Sequence, residues 1–312
     1  MTDDFLLWQS SDNRIWSKSG KVGSAVPVGV TQDPMKRALY GIDPYFVQAW
    51  EDFSAAFPRV REKERVIDSH SLLLLKPDVV ARGLEGRIHS WLATNSFIPV
   101  FRSIVSINRH RAIALWTYQW NYASGERRHL TELMMTLTEC VVLVVRSRDD
   151  SEQAARRLGN KKGSAQPANL QPGELRNALS PINFLVNGVH APADAADFIR
   201  EFSILIEPSD QLAALSAMRN RQQALVPFSD SAFTSRTTEV DVALERATWV
   251  QSQFQGVGQP RGAAGSRSIE GWLELLKGYA KRESLHLNSW DYLLHLCASI
   301  SPNRTELTRL ID

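Results

Sequence analysis

Ser71-Leu72-Leu73-Leu74-Leu75-Lys76-Pro77-Asp78 and, much further along, Asn187-Gly188-Val189-His190 decide the reading of this chain. The first stretch is a continuous apolar run of strand length that emerges on a lysine and is halted by a proline. The second is a short apolar segment that finishes on a histidine. Strand ends of this kind are where open α/β sheets place the groups that bind or react. Lys76 and His190 are therefore the first candidates for chemistry.

Between these two stretches the pattern alternates as strands and helices should. A strand reaches Leu75, then a helix is expected over 86–94, a strand over 98–107, helices over 109–120 and 127–138, and a strand over 141–145. A helix ending near Leu158, a polar loop, a short helix over 173–178 and a strand over 184–188 follow, and an amphipathic helix over 194–206 closes the unit.

Four blocks carry a family resemblance: Leu75-Lys76-Pro77-Asp78, Arg82-Gly83-Leu84-Glu85-Gly86, Gln171-Pro172-Gly173-Glu174-Leu175-Arg176 and Asn187-Gly188-Val189-His190. In order and near-spacing they resemble the signature blocks of the nucleoside diphosphate kinase family, with Glu201 eleven residues past His190 as in that family. No block is specific alone; four in sequence are. The resemblance spans residues 71–201 of 312 and implies an α+β fold, a ferredoxin-like βαββαβ antiparallel sheet with helices. A mostly helical C-terminal region is expected beyond it.

The resemblance also assigns roles. His190 matches the histidine that takes up the phosphoryl group, and Glu201 the carboxylate that holds its other ring nitrogen. Lys76 and Arg176 match cations on the phosphates, Asn187 matches the contact to the ribose hydroxyls, and Arg82 ties down the loop after the first strand. Phosphoryl transfer asks little else of a protein than an in-line nucleophile, surrounding cations and exclusion of water. Imidazole, with an ordinary pKa near 6.5, is already largely unprotonated at neutral pH. Taken singly, each residue also has a plainer reading: a strand-end lysine in solvent, a salt-bridged helix arginine, a turn asparagine, a surface histidine.

Departures from the pattern bear on activity. Alignment back from Gly173 puts Ala165 where the family has a phosphate-contacting threonine, and Gly159 where it has an arginine. Arg157 or Lys162, with Arg156 and Lys161, could supply the charge from shifted positions, and Ser164 the hydroxyl; equally, these residues could form a solvated basic loop. Trp120 falls on the tyrosine that contacts the transferred phosphate and Arg128 on the aromatic that stacks on the base, so the base platform is rebuilt or lost. After His190, the family's Gly-Ser-Asp reads Ala191-Pro192-Ala193. Losing one charge-assisted contact commonly costs about 1.5–3 kcal/mol.

The flanks are read from composition. Residues 1–69 form an aromatic-rich extension expected to pack on the core, with short strands or irregular structure, a helix over 44–57 and a charged run over 59–65. Residues 70–207 form the kinase-like domain. Residues 208–312 form the helical region, with helices over 209–224, 239–254, 269–280 and 289–299 and a loop over 256–265. With 43% apolar residues the chain can build a sizeable core, and 36 basic against 34 acidic residues give no clear nucleic-acid signal. No Walker loop or clustered Cys/His spacing is present, and Cys140 and Cys297 read as reduced buried thiols. An acidic start, and the lack of a stretch of membrane-spanning length, lead to the expectation of a cytoplasmic protein without a membrane partner.

The expected activity is transfer of the γ-phosphate of a nucleoside triphosphate through a phosphohistidine to a nucleoside diphosphate or related acceptor, with Mg2+ bound through the nucleotide phosphates. The alternative is a catalytically impaired nucleotide-binding pseudokinase or scaffold. A homo-oligomer, possibly a dimer, is expected on family grounds.

Overall fold

The computed structural model describes residues 26–220 and 288–300, together with positions 243, 274, 277, 278, 280, 281, 303, 304, 310 and 311. Four strands, β1 (His70–Leu75), β2 (Phe97–Val105), β3 (Cys140–Ser147) and β4 (Val189–His190), form one antiparallel sheet in the order β2-β3-β1-β4. With intervening helices this is the ferredoxin-like arrangement. β1 runs beside β3 from His70 opposite Arg146 to Leu75 opposite Val141, and its far end meets β4 at Leu74–His190 and Leu75–Val189. Pro99, which has no N–H to give, sits in the edge strand β2 next to a register shift.

Because side chains alternate across a pleated strand, the continuous apolar runs of β1 and β3 are buried on both faces. Leu73, Leu75, Val141, Leu143 and Val145 pack with Val79, Ile88, Leu92, Leu158 and Leu175. Those partners come from α4 (Pro77–Ala81), α5 (Glu85–Thr94), α8 (Ala154–Lys162) and α9 (Leu175–Leu179). On the opposite face Leu72, Leu74, Val142 and Val144 pack with Phe53, Phe198 and Phe202. α10 (Ala195–Leu205) supplies two of these rings, and α2 (Pro44–Ala56) the third.

The described part of the extension, residues 26–69, therefore contributes to the interior. Asp33 caps α1 (Pro34–Tyr40) through the Met35 and Lys36 N–H groups, and Pro34 starts it, so a helix opens where short strands or irregular structure are expected. Asp43 caps α2 in the same way. The charged run that begins at Arg59 becomes α3 (Val60–Ser69), an amphipathic helix burying Val66 and Ile67. α2 lies along α10, where the Phe53 ring meets Phe198 and Phe202 edge-on at 5.8 and 5.2 Å. Arg200, only 2% exposed, crosses this packing: its Nε donates to Asp43 Oδ2 at 3.0 Å and Nη2 to the Ala114 carbonyl at 2.7 Å.

Several expected boundaries shift. The helix expected over 109–120 is α6 (Arg109–Trp116) followed by a turn, and the next is α7 (Gly125–Met135), capped by Ser124. The strand expected over 184–188 is a loop: Asn183 Oδ1 accepts from Leu185 and Val186 N–H, Asn187 Nδ2 donates to Phe184 carbonyl, and only Val189 and His190 join the sheet. Side-chain amides have taken the backbone partners a strand would use. α11 (Pro208–Asn220) packs over β2, and α12 (Ser289–Ser299) on α7. The helices expected over 239–254 and 269–280 and the loop over 256–265 lie outside the described residues, apart from single positions. Among the described residues no helix is long and apolar enough to cross a membrane.

Phe53→Ala should cost about 3–5 kcal/mol of unfolding free energy, since it removes a fully buried ring shared between the extension and α10. Denaturant titration checks this, and a loss below about 1 kcal/mol would mean the extension does not fold with the core.

Candidate active site

The end of β1 and the start of β4 bring the two opening sequence stretches side by side. Lys76 N–H donates to the Gly188 carbonyl at 2.9 Å, and Gly188 N–H donates to Asp78 Oδ2 at 2.7 Å. Gly188 holds φ +83°, and a Cβ there would sit 3.0 Å from Leu179 and Val79 side chains, so glycine is required for this approach. Asp78 is thus consumed in closing the junction.

Beside it lies a cavity of about 330 Å³. Its walls include Lys76, Arg176, Asn187, His190 and Glu201 together with Trp116, Trp120 and Lys162. His190 Nε2 lies 2.9 Å from Glu201 Oε1, and the Trp116 ring meets the imidazole edge-on at 5.8 Å. A carboxylate accepts, so Nε2 carries the proton and Nδ1 keeps its lone pair. Burial lowers the His190 pKa below 6.5 and outweighs the opposing pull of Glu201. The ring is neutral at pH 7, the state in which it can act as a nucleophile.

The cations are held tightly. Lys76 Nζ donates to the Leu185 carbonyl at 2.6 Å and to Asn187 Oδ1 at 2.5 Å. Burial pulls its pKa down to about 8, with Asp78 opposing. Arg176 donates from Nη1 to the Gly163 carbonyl at 2.9 Å and from Nη2 to the Val189 carbonyl at 2.8 Å, and burial lowers its pKa to about 10. Arg176 Nε has no partner among the described residues. Both cations face carbonyls, which compensate a buried charge only in part.

Of the other residues singled out by sequence, Trp120 lines the cavity and stacks on Trp116 at 5.9 Å. Lys162 lines it too, its Nζ donating to the Ala191 carbonyl at 2.8 Å. Arg157 does not: it pairs with Asp149 at 3.3 Å, donates to Ser147 Oγ at 3.0 Å and lies over the Phe97 ring. It faces the far end of β3 because it lies five positions before Lys162 on α8, on another side of that helix. Arg82 donates to the Leu179 carbonyl at the end of α9.

The two stretches read as departures, 159 and 191–193, meet in the fold. A Cβ on Gly159 would stand 2.8 Å from the Pro192 carbonyl and 3.3 Å from Ala193 Cα, so α8 and the turn after His190 touch backbone to backbone. No arginine fits there. Ala165 lines the cavity without a hydroxyl, and Ser164 Oγ accepts from Gln166 N–H.

The sequence reading missed Gln119, Arg127, Thr131 and Phe184 on the cavity wall. Arg127 lies over the Tyr122 and Phe184 rings, where the base platform was sought, and donates to Asn303. It also missed a buried cluster behind His190. Lys36 Nζ lies 3.1 Å from both Asp194 Oδ2 and Asp197 Oδ2, Tyr40 Oη donates to Asp197 Oδ1 at 2.6 Å, and Thr31 Oγ1 donates to Asp194 Oδ2 at 2.6 Å. Burial and Asp194 push Asp197 up to about 6. The signal available was Asp194 and Asp197 at N-cap spacing on α10; nothing local in the sequence pairs them with Lys36.

Residues 69–211 match the family model "Nucleoside diphosphate kinase". The chain is 26% identical over 145 residues to a nucleoside diphosphate kinase of Lawsonia intracellularis, covering 46% of this chain and 98% of the relative. It is 25% identical over 142 residues to one of Desulfitobacterium hafniense, covering 45% and 89%. Similar solved structures are the nucleoside diphosphate kinases of Aquifex aeolicus, at 17% identity, TM-score 0.39 and coverage of 45% and 96%, and Borrelia burgdorferi, at 21%, 0.39 and 45% and 88%.

The buried Lys76 makes a signed prediction about stability. Its folded pKa, about 8, lies below the ordinary 10.5, so the unfolded chain binds the extra proton between these values and unfolding becomes harder as pH rises through them. The unfolding free energy of the wild type should therefore climb relative to Lys76→Met across that window. Parallel curves for the two proteins would show that Lys76 titrates normally.

Proposed function

Because residues 69–211 place this chain in the nucleoside diphosphate kinase family, we propose that it transfers the terminal phosphoryl group of a nucleoside triphosphate through His190 to a nucleoside diphosphate or related acceptor. One observation carries the reading: a neutral imidazole, pinned by Glu201 at Nε2, in a cavity it shares with Lys76, Arg176 and Asn187. The cavity lies at the small end of the range for ligand pockets, roughly 300–1,000 Å³.

The Nδ1 lone pair attacks the γ-phosphorus, the bond to the β,γ-bridging oxygen breaks, and the nucleoside diphosphate leaves with that electron pair. A β-phosphate oxygen of the acceptor then attacks the phosphorus, and the P–N bond returns its pair to Nδ1. Glu201 stabilises the positive charge that the ring develops in the first half. Lys76 and Arg176 would neutralise phosphate oxygens once these displace their carbonyl partners, with Lys162 a third cation on the wall. Asn187 would orient the ribose and Trp120 shape the wall beside it.

Among the described residues no group of three or more His, Cys, Asp or Glu could hold a metal ion. A magnesium ion would accordingly enter on the nucleotide phosphates, as part of the substrate. A homo-oligomer, with a dimer as its simplest form, and a cytoplasmic setting belong to the same proposal.

A second reading, a nucleotide-binding module without turnover, draws support from Ala165 and Gly159 and from the engagement of Lys76 and Arg176 with backbone carbonyls. Incubation with γ-labelled ATP and magnesium separates the two. Transfer predicts acid-labile label on the wild type and none on His190→Ala; binding by calorimetry without label leaves the module. Where label forms, its kcat/KM should fall on the acid side only below pH 6.5, as the ring takes up a proton, and on the alkaline side near pH 8, as Lys76 loses one.

A further inference from the structure

The turn that follows His190 has no side chain able to hold it. Ala191, Pro192 and Ala193 offer only apolar groups, yet the turn sets where the imidazole at its start and α10 at its end stand relative to one another. Its described anchors come from outside it. Lys162 Nζ holds the Ala191 carbonyl, and Asp197 Oδ2 accepts from Ala193 N–H at 3.2 Å. Asp194 Oδ1 in turn accepts from Asp197 N–H at 3.0 Å, capping the helix that carries Glu201.

Asp194 and Asp197 are both buried and stand side by side, an arrangement that two ionised carboxylates resist unless a cation lies between them. The cation is Lys36, itself 2% exposed and supplied by α1; from the same segment Thr31 donates to the Asp194 oxygen that Lys36 also holds, and Tyr40 donates to the other oxygen of Asp197. Three residues of the extension thus fasten the two carboxylates that fasten the turn.

We propose that Lys36 is a positioning residue for His190: by holding Asp194 and Asp197 together it fixes the 191–193 turn against the first turn of α10. The imidazole then keeps Nε2 on Glu201 and presents Nδ1 to the cavity. The inference rests on His190 being the reacting group, but it concerns ring geometry and can be read without turnover. Removing the cation sets two carboxylates against each other behind the ring, loosens the turn and frees the imidazole to adopt its other tautomer or to take up a proton.

Long-range 1H–15N spectra of the His190 imidazole in the full chain, at alkaline pH where the ring is neutral, test this directly. The wild type should show Nε2 protonated and Nδ1 bare; Lys36→Met should show a mixed or Nδ1-protonated ring, and Lys36→Met/Asp197→Asn should return toward the wild type because the unbalanced charge is gone. Single-turnover labelling from γ-labelled ATP should fall on the order of 10-fold to 100-fold in Lys36→Met, the scale of a small misplacement, with nucleotide affinity little changed. An imidazole spectrum identical in wild type and Lys36→Met overturns the proposal. Should Lys36→Met not fold, Tyr40→Phe decides: it removes one hydroxyl from Asp197, so the same shift at smaller amplitude supports the assignment and an unaltered ring rejects it. If the tautomer responds but the wild type takes no label, positioning stands and phosphoryl transfer falls.

Discussion

A guanidinium sealed inside the molecule is what the rest depends on. Arg200 reaches Asp43 of the extension and the Ala114 carbonyl near the end of α6, and the residue beside it on α10 is Glu201, which holds His190. A charge buried this deeply is tolerated only with its partners in place. One short stretch of helix therefore fixes the sheet-facing rings, the paired helices that carry Trp116 and the carboxylate behind the candidate nucleophile. The segment before β1 completes this interior: without Asp43, Lys36 and Tyr40, α10 would present three unneutralised polar positions to apolar surroundings.

The cations of the cavity wall already have partners, though neutral ones that offset a buried charge only in part. Lys76 and Arg176 already donate to oxygens of the 163, 185, 187 and 189 positions, so an incoming phosphate competes with carbonyls instead of filling a void. An ionised phosphate oxygen is the better acceptor for a desolvated cation, since it adds the attraction of a full opposite charge that a neutral carbonyl lacks. The same arrangement explains how two buried cations are kept in place between encounters.

Much of this was legible in the sequence, and the boundary is physical. Residues 72–75 of β1 and 140–145 of β3 are apolar without a break because both faces are covered, and such runs cannot be mistaken for exposed segments. Of the residues brought to one cavity, Lys76, Arg176, Asn187 and His190 were carried by short motifs, Glu201 by its spacing to His190, and Trp120 and Lys162 by their place in the aligned chain. Arg157 was misplaced because counting residues along a loop and helix ignores which side of the helix each faces. The 184–188 segment was misread because asparagine side chains substituted for a strand partner, an event with no periodic signature. The Lys36 cluster was invisible for a different reason: its members are about 160 positions apart, and only the fold makes them neighbours.

The close approach of α8 to the Pro192 carbonyl has a consequence for how this protein can change. Position 159 and the 191–193 turn form a lock of two parts, each shaped to the absence of bulk in the other. Any single replacement that introduces a side chain at 159 must push the turn, and His190 with it, before it can offer a new charge to the cavity. Placing a cation at 159 would need both parts exchanged in one step, which makes the present pairing resistant to change by stepwise mutation.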